Sequence, residues 1–225
     1  MLNKQTGNMY DFVTHTWNVI KGKCSHECSY CYMKHFALKP IRFDEKELKT
    51  DLGKGNFIFV GSSTDMFAED VSRNWIVPVL NRCLEFDNTY LFQSKNPERF
   101  NEFSAYPDKV VFGTTIESNI DYEISKAPKM MARMIQMAQL RLRGFRTMVT
   151  LEPILEFDLN ALTKMIEAIR PEWVNIGADS KGHNLPEPSY EKIMQLFKNL
   201  KTFTTVKQKR SLGRLNALID YRGKK

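Results

Sequence analysis

Residues 146–178 read RTMVTLEPILEFDLNALTKMIEAIRPEWVNIGA, and this stretch decides the fold. A run rich in β-branched residues, Arg146 to Pro153, gives way to a stretch of helical period, Leu159 to Ile169, and then to a second such run, Trp173 to Ala178. That is a strand, a helix and a strand, the unit that joins parallel neighbours in one sheet. The pattern recurs outward in both directions. Further strands are expected at Phe12 to Val19, Asn56 to Ser62, Thr89 to Ser94, Val110 to Ile116 and Phe203 to Gln208. Helices are expected at Asn74 to Phe86, Pro97 to Phe103, Lys129 to Arg143 and Ser189 to Leu200. In the helix at 129–143, Met131, Met134, Ile135, Ala138 and Leu142 are read as the core face, with Arg133, Gln136 and Arg141 pointing away.

Six or seven βα units in 225 residues fall short of an eight-unit barrel, which takes about 250 residues. The expectation is an α/β chain folded as a partial (βα)6 TIM-like barrel, a parallel sheet with outer helices, in a single domain spanning 1–225. In such folds the C-terminal ends of the strands and the loops after them carry the chemistry. The composition, 42% hydrophobic and 26% charged, is that of a globular protein rather than a disordered or fibrous one. The first dozen residues, MLNKQTGNMYDF, contain no continuous apolar run, and no stretch of about 18 apolar residues occurs anywhere. A cytoplasmic protein with no membrane association is expected.

The net charge of +7 is concentrated at one end. From 201 to 225 there are eight basic residues (Lys201, Lys207, Lys209, Arg210, Arg214, Arg222, Lys224 and Lys225) against Asp220 alone. Such a segment attracts a polyanion such as nucleic acid, or serves as a solvated tail and helix surface.

Three of the four cysteines, Cys24, Cys28 and Cys31, fall within CSHECSYC, directly after the first strand. The fourth, Cys83, shares an apolar pattern with Val79, Leu80 and Phe86 and reads as a buried small hydrophobe. Thiolates are soft donors, and several from one loop can hold an iron–sulfur cluster. Three cysteines on a four-iron cluster leave one iron open to a further ligand. Zinc with His26 or His35 completing a Cys3His set is the competing reading, although structural zinc sites usually join two separated ligand pairs.

The CxxxCxxC spacing, with Tyr30 just before the last cysteine, resembles the signature of the radical S-adenosylmethionine (SAM) superfamily. More of the chain resembles a compact bacteriophage-type branch related to spore photoproduct lyase: THTWN with the cysteine loop, then GSSTDMFAEDV, LFQSKNPERF, GTTIESN, LEPI, WVNIGADS and TVKQ, in that order. The resemblance implies that Cys24, Cys28 and Cys31 ligate a [4Fe–4S] cluster whose fourth iron is chelated by the amino and carboxylate groups of SAM. It further implies reductive cleavage of SAM to methionine and a 5′-deoxyadenosyl radical that abstracts hydrogen from a substrate, with an external electron donor such as flavodoxin or ferredoxin.

On the same footing, Gly61, Ser62, Ser63 and Asp65 occupy the place of a motif contacting the methionine amine, departing from the common GGE form. Ser94 and Lys95 are placed to meet the methionine carboxylate, and Thr114, Glu117 and Glu152 the ribose hydroxyls or methionine. Tyr30, Asn175 and Gly177 are placed near the adenine. His15, Trp17, Tyr32, Lys207 and Gln208 are candidates for the substrate side. The substrate implied is a nucleobase or modified pyrimidine in DNA, in a rearrangement or repair reaction of isomerase or lyase type, as in phage DNA modification. The alternatives are a glycyl-radical activase acting on a partner protein and a non-enzymatic zinc-binding or nucleic-acid-binding module.

Overall fold

A computed structural model describes residues 1–5 and 9–215. In chain order the strands are β1 (Asn3–Lys4), β2 (His15–Trp17), β3 (Ile20–Lys21), β4 (Arg42–Phe43), β5 (Phe57–Val60), β6 (Thr89–Gln93), β7 (Val110–Thr115), β8 (Arg146–Leu151), β9 (Trp173–Ile176) and β10 (Thr205–Gln208). The α-helices are α1 (Arg73–Leu84), α2 (Met130–Leu142), α3 (Leu159–Ile169) and α4 (Tyr190–Leu200). The main sheet has eight strands in the order β1-β2-β5-β6-β7-β8-β9-β10. Only β1 runs antiparallel; from β2 to β10 every neighbour is parallel. The sheet therefore has the sequential order of an open barrel, with β1 and β10 at its two ends. Where a helix was expected at Pro97 to Phe103 the chain makes a 3₁₀ helix, Pro97–Glu102.

Alternation along each strand splits the apolar residues between two cores. Ile58, Val60, Tyr90, Phe92, Phe112, Val149, Leu151, Val174 and Ile176 face the helices in the larger core. Phe59, Leu91, Val111, Met148 and Trp173 face inward, where they pack against Tyr10 and Val13 of the segment before β2. That segment closes the inside of the sheet from below, so the interior above it is left for the site.

Three of the four α-helices among the described residues, α1, α3 and α4, carry a side-chain N-cap. Asp158 accepts a hydrogen bond from Ala161 N at 2.7 Å and so caps α3, whose Leu162, Met165, Ile166 and Ile169 are buried. Asp158→Ala is expected to lower stability by about 1 kcal/mol, read from the midpoint of urea unfolding.

The expected face of α2 is corrected. Met131, Ile135 and Leu142 are 55%, 45% and 88% exposed, whereas Arg133, Met137 and Leu140 are buried. Arg133 is drawn inward because three acceptors await it: Pro128 O at 2.6 Å, Thr115 O at 2.9 Å and Glu117 Oε2 at 2.9 Å. A fully matched guanidinium outweighs the apolar pattern. Cys83 is wholly buried on α1, as its apolar neighbours imply.

The basic C-terminal segment is only partly a solvated tail. Lys209 is buried, and Arg214 donates to Asp179 O and pairs with Glu187. Arg222, Lys224 and Lys225 lie outside the described residues. Among the described residues no helix is long and apolar enough to cross a membrane.

Candidate functional site

The loop after β2 is pinched at its neck. The ribbon of β3 and β4 and the bond from Lys23 N to Lys39 O bring the loop ends together. Gly22 sits at the crossing with φ of 115°, and a Cβ there would lie 2.5 Å from Pro40 O. Only glycine passes at this point. Inside the loop, Cys24 O accepts from Glu27 N, Cys28 O from Cys31 N, and Cys31 O from Lys34 N, a series of tight turns. Two backbone bonds, Ser29 N to Ile124 O at 2.8 Å and Lys126 N to His26 O at 2.7 Å, dock the loop onto the segment before α2. All three of its cysteines are half-buried.

They line one cavity of about 1060 Å³ at the C-terminal ends of the parallel strands. That volume is at the upper end of the range for sites that enclose a small molecule or cofactor. The other lining residues come from strand ends and from the inner face: Thr16 and Asn18 of β2 and its loop, Gly61 to Asp65 after β5, Gln93 to Lys95, Thr115, Glu152, Ala178 to Lys181, and Lys209.

Asp65 organises the loop side of the cavity. Its carboxylate accepts from His26 Nε2 at 2.8 Å, Ser94 Oγ at 2.9 Å, Lys95 N at 2.8 Å and Phe67 N at 3.0 Å. Burial works against its charge, and the bonds from His26 and the two backbone amides more than offset that, holding the carboxyl below its usual range. Burial and the nearby Asp65 push the Cys24 thiol up to about 12. A cationic metal centre would reverse that penalty, because coordination takes the place of the proton.

Beneath the loop lies a buried charge network. Lys95 Nζ is 3.1 Å from Cys28 Sγ and 2.8 Å from Glu117 Oε1, and it bonds Tyr30 OH while lying 4.3 Å from the centre of that ring. Tyr30 OH in turn donates to Glu117, whose other oxygen takes Arg133. Burial alone would push the Glu117 carboxyl up, but Lys95 and Arg133 hold it down to about 2. Lys95 thus places a cation beside Cys28.

Of the residues singled out by sequence, the structure brings Cys24, Cys28, Cys31, Tyr30, Tyr32, Gly61, Ser62, Ser63, Asp65, Ser94, Lys95 and Glu152 to this cavity. Several others lie away from this cavity, most of them by strand parity. Trp17 is completely buried in the outer core, donating to Glu47 O, and His15 lies two residues away on the same face of β2; Thr16 and Asn18 face the cavity instead. Thr114 points outward and donates to Ser94 O, while Thr115 lines the cavity. Gln208 shares its face with Val206 of the outer core, and it is Lys209 that lines the cavity.

Lys207 faces inward one layer lower, over the rings of Phe12 and Trp173. Asn175 is buried against Met148. Glu117 belongs to the network beneath the loop. Gly177 has a different use from the one expected: a Cβ there would lie 2.9 Å from Cδ of Glu152, so the space above the glycine is filled by that carboxylate.

Tyr10, Gln93 and Lys209 were missed. Gln93 lies within LFQSKNPERF beside the two residues chosen there, whereas Tyr10 and Lys209 lie in no motif; only inward parity with Leu91 and Lys207 marks Gln93 and Lys209.

The fit of a metal centre to this loop rests on its donors. Three thiols from one clamped loop face one cavity, with a lysine ammonium beside the second. The donor set suits a soft metal centre. Among the described residues no three His, Cys, Asp or Glu side chains converge as ligands of a single ion would. His26 is committed to Asp65, and His35 lies beside His183, with ring centres 6.5 Å apart.

No family profile matches the chain. Nor does any curated protein match its sequence. Solved structures do match. A spore photoproduct lyase carrying a single cysteine-to-serine substitution superposes with a TM-score of 0.65 at 12% identity over 90% of this chain and 78% of its own. A second variant of that lyase, with bound SAM and dinucleoside spore photoproduct, gives 0.56 at 11% identity over 88% of this chain and 64% of its own. SuiB of Streptococcus suis, bound to SAM, gives 0.55 at 6% identity over 86% of this chain and 50% of its own. At these identities the likeness establishes a shared fold.

Proposed function

We propose that this chain is a radical SAM enzyme acting on a nucleobase, with a modified pyrimidine in DNA as the preferred substrate class. One observation carries the reading: the three cysteines of a single clamped loop face one large cavity at the C-terminal ends of a parallel sheet. In this reading Cys24, Cys28 and Cys31 hold a [4Fe–4S] cluster. Such a cluster, once reduced by a flavodoxin or ferredoxin, supplies the electron that cleaves SAM into methionine and a 5′-deoxyadenosyl radical.

The chain's own residues position and shield. The clamped neck and the backbone bonds to Ile124 and His26 fix the spacing of the thiols. Lys95 balances the charge of Cys28, and Glu117 and Arg133 hold Lys95 in place. Ser94 and Lys95 are turned toward Asp65, Cys28 and Glu117, which leaves Asn18, Ser62 and the Ser63 backbone as the polar groups best placed for the methionine end of SAM. Asn18 and Ser62 bond each other at 3.3 Å, and Asn18 Oδ1 accepts from Ser63 N at 3.0 Å, so the three form a fixed unit. The rings of Tyr10 and Phe59 give the base of the cavity an apolar side, the kind of shaped surround an organic radical needs.

The nucleobase assignment draws on the basic C-terminal segment and on the fold shared with a lyase whose structure holds a dinucleoside photoproduct. The test uses anaerobically reconstituted protein, a reductant, SAM and DNA labelled with deuterium on thymine methyl groups. Deuterium recovered in 5′-deoxyadenosine is the expected result. Formation of unlabelled 5′-deoxyadenosine with a glycyl radical in a partner protein would move the substrate assignment to the activase class.

A further inference from the structure

The mouth of the cavity carries positive charge that the cavity's own carboxylates do not use. Glu27 is paired with Lys23 at 2.7 Å and with Lys126 at 2.5 Å. Asp65 is matched by its four donors, and Asp179 accepts from His183 Nδ1 at 2.7 Å and Lys181 N at 3.1 Å. Glu152 faces Lys209, whose ammonium also lies 4.6 Å from the centre of the Tyr10 ring. Two further lysines, Lys34 and Lys181, line the cavity and are exposed, and neither side chain has an acidic partner among the described residues.

These two lysines belong to one patch. Lys34 sits in the short 3₁₀ helix Tyr32–His35 that follows Cys31, and Lys181 in the loop after β9. The two segments meet where the rings of His35 and His183 lie 6.5 Å apart. Rings flank the charges: Tyr32 and Phe36 also line the cavity and are 46% and 62% exposed. Tyr32 OH donates to Ser62 O at 2.9 Å, which anchors that ring to the loop after β5. Ammonium groups interleaved with exposed rings suit a strand of phosphates and unpaired bases, because the cations meet the phosphates and every base has a face to stack. The patch opens onto the cavity rather than away from it, so its ligand is one that enters, which a folded acidic protein does not. The cavity reaches down to Tyr10 and Phe59 of the inner core, and a base that reaches them has left any stack. A single strand presents such a base without the cost of unpairing.

We propose that Lys34 and Lys181, with the exposed rings of Tyr32 and Phe36, form a docking rim for a single strand of nucleic acid, holding phosphates next to the nucleotide whose base enters the cavity. The rim reads no base; it selects a strand over a free nucleoside or nucleotide. The inference rests on the nucleobase reading above and states the form in which that substrate arrives.

The experiment follows the fluorescence anisotropy of an end-labelled thymidine hexanucleotide on anaerobically reconstituted, SAM-loaded protein over a series of salt concentrations. Thymidine, thymidine monophosphate and a hairpin duplex serve as competitors. The single strand is expected to bind at least about tenfold tighter than either monomer, and tighter than the duplex. Each phosphate contact on a single strand adds about 0.7 to the slope of log affinity against log salt, so the double variant Lys34→Gln with Lys181→Gln is expected to lower that slope by about 1.4. Lys198→Gln, which removes an exposed lysine of α4 that does not line the cavity, controls for net charge and is expected to leave the slope unchanged. An unchanged slope in the double variant overturns the rim, and so does a monophosphate or a duplex that binds as tightly as the single strand. If the double variant weakens binding of an acidic flavodoxin and not of the strand, the patch belongs to the electron donor and the proposal falls. Iron content and 5′-deoxyadenosine yield of the unaltered protein report on the radical SAM reading separately. With both present and strand binding absent, the rim alone falls; with both absent, the broader reading falls.

Discussion

Arg133→Met is expected to destabilise the protein by about 3–5 kcal/mol, a large share of the whole stability of a domain of this size. The loss is electrostatic rather than volumetric. Arg133 is 2% exposed, and its guanidinium is shared among Pro128 O, Thr115 O and Glu117. Removing it leaves Glu117, also 2% exposed, balanced by Lys95 alone, and strands two backbone carbonyls. The double variant Arg133→Met with Glu117→Gln is expected to recover part of the loss, because the buried charge then goes with its partner. Guanidinium unfolding midpoints of the single and double variants check this. A change within about 0.5 kcal/mol in Arg133→Met would mean that the network is ornamental.

The same carboxylate sets an acid limit. Its pKa is held at about 2, below the unfolded value of 4.5, so its contribution is complete above pH 4.5 and is lost progressively as pH falls toward 2. In Glu117→Gln that part of the pH dependence disappears.

The second large effect concerns the thiols. Cys28→Ala is expected to abolish the brown chromophore on anaerobic reconstitution and to bring 5′-deoxyadenosine formation down to background. Cys83→Ala serves as the control. It removes a cysteine buried on α1 among apolar neighbours, so it should cost stability by about 1 kcal/mol and leave iron content unchanged. Iron and sulfide analysis of both variants, alongside activity, separates a lost ligand from a damaged fold.

The fold was legible from the alternation of strands and helices, because parallel strands buried on both faces and amphipathic helices leave distinct periods. The cysteine loop was legible from spacing alone. What the sequence hid was parity and buried charge. A shift of one residue along a strand reverses every side chain, so Trp17, Thr114 and Gln208 were read into a cavity that Thr16, Thr115 and Lys209 line. Arg133 was read as solvent-facing because charge usually is, and only the three-dimensional meeting with Glu117 reverses that. Tyr10 and Lys209 lie at opposite ends of the chain, so no local pattern could have paired them.

The central claim is that Cys24, Cys28 and Cys31 hold a cluster with one iron open to SAM. The most direct measurement is low-temperature electron paramagnetic resonance of the anaerobically reconstituted, reduced protein, recorded before and after SAM is added. The account predicts a reduced [4Fe–4S] signal whose shape changes on adding SAM, as direct coordination requires. A reconstituted protein that holds only zinc, or whose cluster signal is indifferent to SAM, would contradict it.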